Sequence, residues 1–118
     1  MPFYARVNDA INRSHSALAQ LAAYRTHEHP RAEPNNSIRN NARVTIYPVY
    51  AEVKQAVREG RYEGISGGNA REALQAAELL RRATFSLSEK AGRPANIFNA
   101  RAEISRAVDL LQRSKSWW

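Results

Sequence analysis

The chain has 118 residues, a length that fits one domain, and its 43% hydrophobic and 25% charged residues are those of an ordinary globular protein. It has no cysteine, which excludes disulfides and thiolate metal sites and permits a reducing compartment. Eighteen Lys and Arg against eleven Asp and Glu leave a net charge of +7 and a pI near 10.4, and no apolar run approaches the roughly 20 residues of a membrane span. Residues 1–13 lack the basic start and apolar stretch of a signal peptide, so a cytoplasmic protein is expected.

The apolar periodicity predicts four helices. The first covers residues 3–26, with Phe3, Val7, Ala10, Ile11, Ala17, Leu18, Leu21 and Ala22 on one stripe and Arg6, Arg13, Gln20 and Arg25 largely off it. Residues 27–36 break the pattern, because Pro30 and Pro34 remove backbone donors and restrict the residues before them. Ser37 is placed to cap a second helix reaching residue 59, on which Ile38, Ala42, Ile46, Val49, Val53 and Val57 continue a stripe. Pro48 falls inside it and either kinks that helix or starts a new one. Val44-Thr45-Ile46-Tyr47 has strand preference, but a lone strand has no partner here, so helix is preferred.

Residues 60–68 form the next connection, with glycine at 60, 64, 67 and 68. Gly60 reads as a helix stop, and Asn69 with Glu72 reads as a capping box for a third helix over residues 70–90. Its stripe is Ala70, Ala73, Leu74, Ala77, Leu80, Ala83, Thr84 and Leu87. Gly92 and Pro94 mark its end. The fourth helix begins near Pro94 or Asn99 and runs to Ser114, with Ile97, Ile104, Ala107, Val108 and Leu111 inward. The expected fold is all-α: one antiparallel, up-down-up-down four-helix bundle spanning residues 1–118. Its alanine-rich stripes bury little apolar area each, so self-association is expected to add stability. Asn-Ala-Arg occurs at 41–43, 69–71 and 99–101, which either marks a duplicated helix hairpin or reflects asparagine caps.

No catalytic residue, metal site or cofactor is expected. His27-Glu28-His29 alternates ligand types, but it sits in a loop and no second cluster completes a site. His15 reads as a boundary residue of the first helix. Ser14, Ser16, Ser66, Ser86 and Ser88 read as helix-surface or capping residues, with no nucleophile elbow among them. Gly64-Ile65-Ser66-Gly67-Gly68-Asn69 precedes a helix N-terminus, where an anion could sit, but it lacks the Gly-Lys-Ser/Thr ending of a phosphate loop and reads first as a turn.

Charge carries the functional expectation. Fifteen basic residues are Arg and three are Lys (Lys54, Lys90 and Lys115). Arginine forks pair with phosphate and stack on bases, although a GC-rich coding sequence also enriches arginine. Arg71, Arg81, Arg82, Arg93, Arg101, Arg106, Arg113 and Lys115 are the candidate nucleic-acid contacts, following phosphates without reading bases. The alternative for them is a solvated face with helical ion pairs such as Glu78–Arg82. Tyr24, Tyr47, Tyr50 and Tyr62 are candidates for stacking on unpaired bases, with core or hinge packing the competing role. Trp117 and Trp118 are candidate interface residues, closing the end of the bundle or anchoring a neighbouring subunit.

Ala77-Glu78-Leu79-Leu80-Arg81-Arg82-Ala83 is followed through Leu87-Ser88-Glu89 by Ala102-Glu103-Ile104-Ser105-Arg106-Ala107-Val108-Asp109-Leu110-Leu111 and a tryptophan pair. This pattern resembles the second half of the small four-helix-bundle family that includes the accessory variability protein of diversity-generating retroelements. The likeness covers residues 38–118 and rests on helix order. The two-proline loop and the alanine content depart from that pattern. The resemblance implies a basic pentamer of four-helix protomers that binds a reverse transcriptase and its template RNA without activity of its own. The expected function is thus a non-enzymatic, homo-oligomeric accessory protein that binds nucleic acid, RNA before DNA. The alternative is a structural or inhibitory protein-interaction module, such as a phage virion subunit, a small helical subunit of a ribonucleoprotein, or an inhibitor of a host complex.

Overall fold

Helix periodicity in the sequence becomes five α-helices in the computed structural model, which describes residues 2–65, 67–88 and 94–115, the first two residues of the last stretch by backbone alone. They are α1 (Phe3–Leu21), α2 (Asn35–Ile46), α3 (Val49–Gly60), α4 (Gly67–Ser86) and α5 (Pro94–Lys115), with a 3-10 turn at Arg61–Glu63. No strand occurs among the described residues. The second predicted helix is therefore divided, with Pro48 immediately before α3. Tyr47 and Pro48 both keep right-handed helical dihedrals, so the backbone stays helical through the division. No helix is long and apolar enough to cross a membrane among the described residues.

The boundaries move for identifiable reasons. The first helix ends at Leu21 rather than residue 26, and Ala22 is exposed. The buried Asn35 side chain captures the backbone beyond it: its Oδ1 accepts from Arg25 N–H at 2.8 Å, and its Nδ2 donates to the Arg25 carbonyl at 2.7 Å. Those groups are then lost to the α1 ladder. Tyr24, turned inward, is buried. The second helix starts at Asn35, not after a Ser37 cap, because Pro34 occupies the cap position and its carbonyl accepts from Ile38 N–H at 3.0 Å. A proline loses nothing there, since that N–H would have no helical acceptor.

Gly60 is the last residue of α3, as expected of a helix stop, but it is not the left-handed residue that turns the chain. It closes α3 in right-handed geometry, and the turn comes at Gly64, whose φ of 86° is left-handed. Gly60 is instead a close-approach residue: a Cβ there would lie 3.0 Å from Ile65 and 3.3 Å from the Phe3 ring. Ile65, buried, thereby fastens the glycine-rich connection to the core. The fourth segment begins at Gly67, so Asn69 is not its cap, although its Oδ1 accepts from Ala70 N–H at 3.0 Å. It ends at Ser86 rather than residue 90. The three Asn-Ala-Arg tripeptides all lie inside helices, at unlike positions, and none of their asparagines is a helix cap.

Each helix buries most of the stripe predicted for it, with Leu18, Ile38, Ala70 and Thr84 only partly buried. Leu74 is 42% exposed, its place taken inside by Ala76. Ser14, expected on the surface, is fully buried, and His15 beside it is exposed. One core contains Phe3, Leu21, Ile46, Ile65, Leu80, Leu87, Ile104 and Leu111 as its largest fully buried side chains. Ala73, Ala76, Ala77 and Ala83 of α4 and Ala100 and Ala107 of α5 are all buried, which lets these two helices make the most extensive contact in the fold. α1 packs on α2, α3 and α5, and α3 packs on α4. Arg6–Glu59 and Arg13–Glu52 ion pairs cross from α1 to α3. Such exposed pairs add at most about 1 kcal/mol each and mainly fix register.

Candidate nucleic-acid interface

The candidate contacts are distributed by helix geometry. Arg81 and Arg82 are successive residues, about 100° apart around α4, and they look into different grooves. Arg82 joins Gln75, Glu78 and Leu79 of α4 and Arg106 and Leu110 of α5 along one groove of about 330 Å³. Arg81 lines another groove of about 340 Å³, shared with Arg43, Tyr47 and Tyr50 across the helix boundary. Thr84, Phe85 and Ser88 complete its α4 side.

Glu78 sits between the two grooves. It binds Arg81 through both carboxylate oxygens, at 2.6 and 3.0 Å, and Arg82 at 3.5 Å. The Arg81 hydrogen bond is the largest influence holding the Glu78 carboxyl below its ordinary value, with the charges of Arg81 and Arg82 adding to it. The anticipated Glu78–Arg82 pair therefore exists, but Arg81 is the tighter partner. Arg81 uses Nε and Nη2 for Glu78, so its Nη1 donors have no partner among the described residues.

The second groove combines charge with aromatic surface. Tyr47 and Phe85 are 55% and 65% exposed. The Arg81 guanidinium lies 5.5 Å from the Phe85 ring centre, a cation–π contact. Tyr47 and Tyr50 meet edge to face, with centroids 6.4 Å apart and planes 89° apart. Arg43 is steadied by Asn40 Oδ1 at 3.0 Å. Arg43 and Phe85 were missed from the sequence, although an arginine and an aromatic at i and i+4 on an exposed α4 face were a readable signal for Arg81–Phe85.

The remaining candidates do not join these grooves. Arg71 is exposed near the start of α4, about 15 Å along the axis from Arg81 at 1.5 Å per residue. Arg101 is exposed on α5, about 140° around the axis from Arg106. No carboxylate of the described residues pairs with Arg71, Arg101 or Arg106. Arg113 is exposed in the last turn of α5 and engages a neighbouring group. Lys115 is tied to α1, donating to Asn8 Oδ1 at 2.7 Å and lying 5.6 Å from the Tyr4 ring centre. Arg93, Trp117 and Trp118 lie outside the described residues. Of the other stacking candidates, Tyr24 is buried in the core, its phenol pushed up by burial, while Tyr62 stands 94% exposed on the 3-10 turn.

Arg39, by contrast, serves the fold. It is buried and donates to the Leu87 carbonyl at 2.5 Å, closing the end of α4 as a cation should. His29 Nδ1 accepts from Arg31 N–H at 3.0 Å in an exposed turn, and no group of three or more His, Asp or Glu side chains gathers to hold a metal among the described residues. No family model, curated protein or solved structure matches the chain.

Proposed function

We propose that this chain is a non-enzymatic helical protein that binds nucleic acid, RNA before DNA, through arginine contacts to phosphate. The observation that carries the reading is the meeting of Arg82 and Arg106 across α4 and α5, within a chain of net charge +7. Two guanidinium forks in one groove suit bidentate phosphate binding, and Glu78 offsets only part of their charge. The order of the helices and the packing of α5 on α4 and α1 support an antiparallel up-down-up-down bundle. The preference for RNA, a homo-oligomeric state and a place beside a reverse transcriptase follow from the resemblance of the α4–α5 region to the retroelement accessory family.

A second reading is favoured by the exposed Val44, Phe85 and Phe98: a protein-interaction module whose arginines meet an acidic partner, in a virion or a ribonucleoprotein. Size-exclusion chromatography with light scattering and absorbance at two wavelengths, in low and high salt, separates the two. Nucleic acid that co-elutes at low salt and is stripped at high salt is expected. A nucleic-acid-free species indifferent to salt would favour the protein-interaction module, and a monomeric mass at micromolar concentration would remove the homo-oligomer.

A further inference from the structure

Arg43 of α2, Tyr47 of the α2–α3 junction, Tyr50 of α3, and Arg81 and Phe85 of α4 line one groove. We infer that this groove is a stacking site for an unpaired base of a single-stranded nucleic acid, distinct from the phosphate-following Arg82–Arg106 groove. The inference rests on the nucleic-acid reading and deepens it.

Three features support this occupant. First, exposed aromatic rings hold bases of any sequence, because every base has a π face. Tyr47 and Phe85 are more than half exposed on either side of the groove, and their carbon surface is not closed over by the fold. Because Tyr47 and Tyr50 are perpendicular, a base lying flat on one meets the other edge-on, which defines an orientation rather than a greasy patch. Second, the charge is complementary. Arg43 and Arg81 border the rings, and the Arg81 Nη1 donors are available to a phosphate attached to the stacked base. Third, the Glu78 bridge holds Arg81 in place above Phe85 before any ligand arrives, which lowers the ordering that binding requires. The volume, about 340 Å³, lies at the small end of the roughly 300–1,000 Å³ typical of ligand clefts. A duplex cannot use such a site without unpairing, because its base faces are already stacked.

The test measures fluorescence anisotropy of the full chain with labelled oligonucleotides. The probes are a single-stranded RNA, a duplex of the same charge, and a single strand carrying abasic sites. The Tyr47→Ala/Phe85→Ala variant is expected to lose about 5- to 150-fold affinity for the single strand, from about 1–3 kcal/mol of stacking per base. Its affinity for the duplex and for the abasic strand should stay within about twofold. Both side chains are largely exposed, so folding is retained, and circular dichroism and the melting temperature check that. Tyr47→Phe, which keeps the ring, should bind like the parent.

Undiminished single-strand binding by the double alanine variant, with binding still lost in Arg82→Ala/Arg106→Ala, would overturn the groove and leave the nucleic-acid reading intact. If the parent bound none of the three probes at low salt, both would fall. A parent that bound a poly-glutamate peptide through Tyr47 and Phe85, in preference to the RNA, would also overturn it.

Discussion

At the scale of single residues, Asn35 and Glu78 illustrate opposite uses of a polar group. Asn35 is fully buried and spans the turn between α1 and α2 by accepting from and donating to the same residue, Arg25. Asn35→Ala should cost about 1–3 kcal/mol, the usual range when buried hydrogen-bonding groups are left unpaired, read by urea unfolding. Asn35→Asp should be worse at pH 7, because a carboxylate would face the Arg25 carbonyl. Protonation restores a donor, so that deficit should shrink as the pH falls toward 4. Equal stability of the parent and the alanine variant would show that the turn does not depend on this side chain.

Glu78, on the surface, governs charge rather than folding. Glu33, Glu59 and Glu78 all have carboxyls held below the ordinary 4.5, each first by a side-chain hydrogen bond: Ser37, Gln55 and Arg81 respectively. A carboxyl whose folded value is depressed contributes stability above its unfolded value and loses that contribution as the pH falls through the folded one. Thermal stability should therefore be flat above about pH 5 and decline below about pH 4.5. Glu78→Gln should flatten that decline slightly. The same substitution removes the carboxylate that pairs with both Arg81 and Arg82, so it should tighten RNA several-fold at low salt and steepen the salt dependence. Weaker binding by Glu78→Gln would mean that its hold on Arg81 matters more than its charge.

At the scale of elements, Gly60 and Gly64 make a contrast that separates packing from backbone strain. Gly60 is helical, where alanine normally gains about 0.5–1 kcal/mol. Here the added Cβ would meet Ile65 at 3.0 Å and Phe3 at 3.3 Å, so Gly60→Ala is expected to lose about 1–3 kcal/mol to overpacking. Gly64 has open space around it but a φ of +86°, and Gly64→Ala should lose about 1–2 kcal/mol for the left-handed conformation alone. Trimming Ile65 to Ala, which removes the Cγ1 that the new Cβ would meet, should offset part of the Gly60→Ala loss and none of the Gly64→Ala loss, which a double-mutant cycle measures.

These glycines also show where reading the sequence stops. The stripes of α1, α3 and α5 were legible because a 3.6-residue period survives any packing arrangement. Val7, Val53 and Ile104 lie inside as their spacing requires. The end of α1 was not legible, because Asn35 takes the Arg25 backbone groups from ten residues away, whereas α5 starts at Pro94 and ends within one residue of Ser114, as its proline and stripe imply. Arg82 and Arg106 were readable as outward residues, but not as neighbours. The Arg43–Tyr47–Arg81–Phe85 groove depends on which helices lie side by side, and no spacing within one helix encodes that.

At the scale of the whole molecule, the question is whether net charge alone accounts for binding or whether particular arginines do. The chain measures 48 × 21 × 20 Å, and its exposed arginines lie on several faces of that rod. A diffuse field of this kind attracts polyanions from any direction. A localised site instead adds a definite number of phosphate contacts, and each contributes close to one unit to the slope of log affinity against log salt. Arg82 and Arg106 share a groove, whereas Arg101 lies about 140° around α5 from Arg106. For an RNA of about eight nucleotides, too short to wrap the rod, Arg82→Ala and Arg106→Ala should each lower that slope by about 1. Arg101→Ala should leave it nearly unchanged, although it removes the same charge. The comparison is controlled, because all three variants have the same net charge and all three side chains are exposed. A slope that fell equally in all three would assign binding to the total charge of +7 and would dissolve the α4–α5 groove as a site. A difference between Arg101 and Arg106 would place the phosphates between those two helices.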